Sequence, residues 1–80
     1  MIEISIRDAG TTAVYHLDPT AGRLEMVRSG GCRDVLGTDG AWLDGLDADE
    51  IADAVEAAWI DGYDGDPTEN GLAVYVSEIE

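Results

Sequence analysis

Ile2, Ile4 and Ile6 alternate with Glu3, Ser5 and Arg7, the period of two that turns one face of a strand to a core and the other to water. The alternation predicts a strand over residues 2–7. Asp8-Ala9-Gly10-Thr11 reads as a turn, and Thr12 to Leu17, rich in β-branched and aromatic side chains, as a second strand. In Asp18-Pro19-Thr20-Ala21-Gly22 the proline presets φ and the glycine can take positive φ, so the chain returns as a third strand from Arg23 to Arg28. These strands form an antiparallel meander. From Ser29 to Gly45 the pattern is ambiguous. Cys32 to Leu36 could add a short strand, while Gly37, Gly40 and Gly45 around Trp42 and Leu43 suggest an irregular loop that tucks an aromatic into the core.

A helix is signed at both ends. Asp47 as N-cap with Glu50 at the third helical position makes a capping box, and Leu46 can pack on Ile51 as a hydrophobic staple. Ile51, Val55 and Ala58 give a core stripe with Trp59 on its shoulder, and Gly62 is placed as a left-handed terminator. The helix is therefore expected at 48–61. Tyr63 to Gly71 follows as an acidic loop containing Pro67, and Leu72, Val74 and Val76 begin a last strand. The expectation is an α+β fold, an antiparallel sheet of three to five strands in the order β-β-β-(β)-α-β with one amphipathic helix on one face. With 80 residues and neither a repeat nor a low-complexity linker, residues 1–80 read as a single small acidic domain, monomeric or weakly dimeric.

Charge changes the picture. There are 18 acids, four arginines and no lysine, a net charge of −14. Direct binding of a nucleic acid backbone is excluded, because that affinity comes from cations displacing counterions, and an anionic membrane surface is disfavoured for the same reason. A disordered acidic tail is excluded too, since 45 % of the chain is hydrophobic. Residues 1–37 hold all four arginines and five acids, whereas residues 38–80 hold thirteen acids and no base. The single cysteine, Cys32, forms no internal disulfide framework, and no signal or membrane-spanning segment is legible, which fits a cytoplasmic protein.

Specific chemistry finds little support. Cys32 and His16 fall far short of a zinc set. A calcium loop started at Asp64 places Glu69 where glycine is needed and Tyr75 where the closing glutamate belongs. Gly30-Gly31 lacks the spacing of a phosphate loop, and His16 and Cys32 have no recognisable catalytic partner. No cofactor, metal or catalytic residue is expected, and the protein reads as a non-enzyme.

The acids themselves are arranged. At about 100° per residue Asp49, Asp53 and Glu56 fall in one sector opposite Ile51 and Val55, with Glu50 flanking, four carboxylates over about 10 Å of axis. Asp44 and Asp47 extend the run before the helix and Asp61, Asp64 and Asp66 after it. Ile60 lies amid this stripe, an apolar residue ringed by carboxylates, as suits an interface with a basic partner. In size, acidity and the Asp44 to Asp66 cluster the chain resembles nucleic-acid-mimicking inhibitors, most of all small phage or prophage anti-CRISPR proteins that block DNA binding by the type I surveillance complex, Cascade. The resemblance implies a partner that is a basic protein or ribonucleoprotein, met by Asp44, Asp47, Asp49, Glu50, Asp53, Glu56, Ile60, Asp61, Asp64 and Asp66. Other readings of the same acids are an antitoxin or immunity protein neutralising a basic nuclease, a merely solvated helix face, and a high-salt-adapted domain whose acidity serves solubility.

Overall fold

The computed structural model describes residues 1–8, 10–62 and 71–79. Strands β1 (Ile2–Asp8), β2 (Thr11–Asp18) and β3 (Arg23–Arg28) form the expected meander. A short 3-10 turn at Ala41–Leu43, helix α1 (Ala48–Gly62) and strand β4 (Ala73–Glu78) complete the described chain. The fold is α+β, a four-stranded antiparallel sheet in the order β3-β2-β1-β4 with one helix. β4 pairs with β1 rather than with β3, so the first strand lies inside the sheet and the last forms an edge.

Register places the apolar residues on one face. Ile4 stands opposite Tyr15 on one side and Val76 on the other, and Ile6 opposite Ala13 and Val74. Leu17 faces Leu24 across the β2–β3 pair. Onto this face α1 presses Ile51, Val55 and Trp59, one turn apart, and all three are buried. Trp59 is thus the centre of the helical stripe rather than its shoulder, with Ala58 only partly buried. None of Glu3, Ser5, Arg7, Val14, His16 and Tyr75, on the opposite sheet face, is fully buried.

Three local expectations are corrected. No strand forms at Cys32 to Leu36. The polar groups of that loop are met by side chains instead: the buried Tyr15 hydroxyl donates to Asp34 Oδ1 at 2.7 Å, which also accepts the Gly37 N–H at 3.0 Å. Burial, reinforced by that hydrogen bond, pushes the Tyr15 phenol above its ordinary pKa. Second, the side chain tucked under the 3-10 turn is Leu43, whereas Trp42 stays 41 % exposed and donates its indole N–H to the Asp39 carbonyl at 2.8 Å. Third, Gly62 is the last residue of the helix and does not take positive φ. Its place is tight for a different reason, since a β-carbon there would meet a methyl group of Val35, which would have to shift. Asp8, the first residue of the expected Asp8-to-Thr11 turn, pairs with Thr11 across the hairpin and is also the buried end of β1.

Candidate functional site: the acidic face of α1

The helix begins as its sequence dictates. Asp47 Oδ1 accepts the Glu50 N–H at 2.9 Å, and Glu50 Oε1 accepts the Asp47 N–H at 3.2 Å. This reciprocal pair satisfies two donors that a helix start otherwise leaves to water. Asp47 and Glu50 are therefore acidic for the fold as well as for any partner. At the other end the Arg33 guanidinium donates to the Gly62 carbonyl, placing a cation at the negative pole of the helix. The second half of the chain has no base of its own, and the loop before it supplies one.

Between these ends Asp49, Asp53 and Asp61 are exposed, and Glu56 is half-buried along one flank. None of the four side chains has a hydrogen-bond or ion-pair partner among the described residues. Ala57 and Ile60 occupy the middle of the outward face, Ile60 being 37 % exposed. Asp44 is exposed just before the helix, at the C-cap of the 3-10 turn. The structure thus brings Asp49, Asp53, Glu56 and Ile60 onto one surface, while Asp64 and Asp66 lie outside the described residues.

The separation of charge along the chain becomes a separation between layers. The open sheet face carries Arg7, Arg23 and Arg28 together with Glu3, Asp18 and Glu25, acids and bases in equal number. There Glu3 lies 3.3 Å from His16. The charged residues on the outer face of α1 are all acids. Such a surface attracts cations over distances set by the ionic strength.

Trp42 is the residue of this region that sequence reasoning misplaced. Its neighbours Gly40 and Leu43 are buried, which leaves the indole outside, hydrogen-bonded to the Asp39 carbonyl, in a stretch that also carries the exposed Asp39 and Asp44. An exposed Trp beside carboxylates has the composition of a binding hot spot. The separate buried carboxylate, Asp8, is 2 % exposed; its Oδ2 accepts the Trp59 indole N–H at 3.2 Å, and its Oδ1 has no partner among the described residues. Cys32 Sγ lies 3.4 Å from the Thr11 hydroxyl. Among the described residues no three His, Cys, Asp or Glu side chains gather as a metal-ligand group, and no helix is long and apolar enough to cross a membrane. No protein-family model, curated protein or solved structure matches the chain.

Proposed function

We propose that the protein is a non-catalytic inhibitor that lays the acidic face of α1 into a Lys/Arg-rich groove of a nucleic-acid-binding complex and blocks that groove by occupancy. The target class is a CRISPR surveillance complex of the Cascade type. The observation that carries this reading is the set of unpartnered acids, Asp49, Asp53, Glu56 and Asp61, around the partly exposed Ile60. Carboxylates kept for the fold would be paired or capping, as Asp47 and Glu50 are. Acids kept for solubility at high salt would also populate the open sheet face, where arginines instead match them in number. In the complex Asp49, Asp53 and Glu56 meet cations, Asp44 and Asp61 extend the contact, and Ile60 supplies apolar burial.

The test is competition with target DNA for a purified type I surveillance complex, at several salt concentrations. Wild-type protein should displace DNA, and less effectively as salt rises. Three exposed ion pairs at about 0.5 kcal/mol each amount to about tenfold in affinity, so reversing Asp49, Asp53 and Glu56 to Lys should weaken inhibition by at least about tenfold. Undiminished inhibition by that variant, or none by the wild-type protein, overturns the proposal.

A further inference from the structure

The two edges of the sheet are treated differently. The β3 edge is protected: Leu24 donates its N–H to Thr38, Gly40 donates to Gly22, and Arg23 forms an isolated bridge with Asp39. A bulge at Val27, which the β2–β3 register skips, further breaks that edge. Among the described residues the β4 edge has none of these devices. Ala73–Glu78 runs as a regular six-residue strand with no proline, lysine or register shift, and among the described residues nothing pairs with its outer side. Natural edge strands left in this state are templates for another strand.

The core beside β4 is also unfinished. Val74 and Val76 share the face of Ile6 and Ile4, yet they stay half-buried where those isoleucines are fully buried. Next to Val76 an open groove of about 460 Å³ runs between β4 and the start of α1, floored by Ile2, Leu46, Ile51 and Val76 and rimmed by Asp47 and Glu78. Tyr75 projects to the other side of the strand and is 55 % exposed.

We infer that β4 is an acceptor edge for an extended segment of a basic partner protein, added as a fifth strand with its apolar side chains over Val74, Val76 and the groove. Backbone pairing supplies the affinity and the alternating pockets the selectivity of such strand addition. Lys or Arg at the end of the segment meets Asp47 and Glu78, and an arginine on the opposite face stacks on Tyr75. Charge decides against a second copy of this chain, because two molecules of net charge −14 repel. The site is distinct from the acidic ridge of α1 and stands whether or not that ridge binds its proposed target.

The probe is a synthetic peptide alternating valine or leucine with arginine, compared with a peptide of the same composition whose apolar residues are gathered in one block. Both carry the same charge, so attraction to the acidic ridge is common to them. The alternating peptide should bind at least about tenfold more tightly and slow hydrogen exchange at β4 amides. Ala48→Trp, which fills the groove from an exposed position, should remove that advantage. Asp49→Asn/Asp53→Asn/Glu56→Gln should lower the affinity of both peptides and keep the difference between them. Equal binding of the two peptides, protection confined to α1, or a dimer paired through β4 in sedimentation and hydrogen exchange would overturn the proposal. Ser77→Lys, a charge placed on the exposed edge, is the second variant, and it should reduce alternating-peptide binding without loss of folded structure.

Discussion

If the acids of the α1 face serve a partner and not the fold, neutralising them should leave the protein more stable. Asp53→Asn with Glu56→Gln tests this directly. Asp53 has like-charged neighbours at Asp49, four residues before, and at Glu50 and Glu56, three residues away on either side. Neither Asp53 nor Glu56 caps the helix or has a partner among the described residues. Each like-charge pair at this spacing costs about 0.2–0.5 kcal/mol, so removing three of them should stabilise the fold by about 1 kcal/mol. For a chain of this size that is a rise in Tm of about 4–8 °C. Thermal unfolding followed by circular dichroism should show the gain at low ionic strength. It should shrink towards zero in about 1 M KCl, where the Debye length of about 3 Å is shorter than the separation of the charges. The same variant should be a weaker inhibitor. A lowered Tm at low salt would mean that these carboxylates hold the fold together, and a gain that persists in about 1 M salt would mean that its origin is not electrostatic. Either result would refute the reasoning.

Other substitutions probe the supports of the site. Asp47→Ala removes one half of the capping box and should cost about 1 kcal/mol in urea unfolding, with no change of slope. Trp59→Phe keeps the ring in the core but takes the indole donor from Asp8, whose carboxylate stays buried, and should cost about 1–3 kcal/mol. Gly62→Ala gains helix propensity but meets Val35, so it should destabilise the wild-type protein by about 1–2 kcal/mol and stabilise a Val35→Ala background; a double-mutant cycle reads the difference. Because the folded-state pKa of Tyr15 is raised, the stability tied to its protonated form is complete below about pH 10, the value for an unfolded tyrosine, and is lost as pH rises above it. Unfolding measured from pH 8 to 11 should show this decline in the wild-type protein and a shallower one in Tyr15→Phe.

What the sequence by itself determined is what depends on near neighbours. The alternation of Ile2, Ile4 and Ile6 requires one buried and one solvated face whatever the strand pairs with. Asp47 and Glu50 find each other because three residues of helix bring them together, and the structure contains both of their hydrogen bonds. The angular grouping of Asp49, Asp53 and Ile60 likewise follows from the helical period alone. Tertiary structure decided whatever depends on residues far apart in sequence. Gly62 looks like a left-handed cap when read locally, and only the approach of Val35 gives the glycine its actual reason. Trp42 and Leu43 are adjacent apolar residues in one glycine-rich stretch, and the 3-10 turn sends the smaller inward and the tryptophan out. The cation at the end of α1 comes from Arg33, in a loop whose ambiguous pattern concealed that it is pinned to the core by Tyr15 and Asp34. Packing of α1 on one face of the sheet divides the near-neutral open face from the acidic helix, and pairing of β4 with β1 leaves the other side of β4 without a strand among the described residues. Local spacing sets which residues share a face, but only the pairing of distant strands sets what that face looks upon.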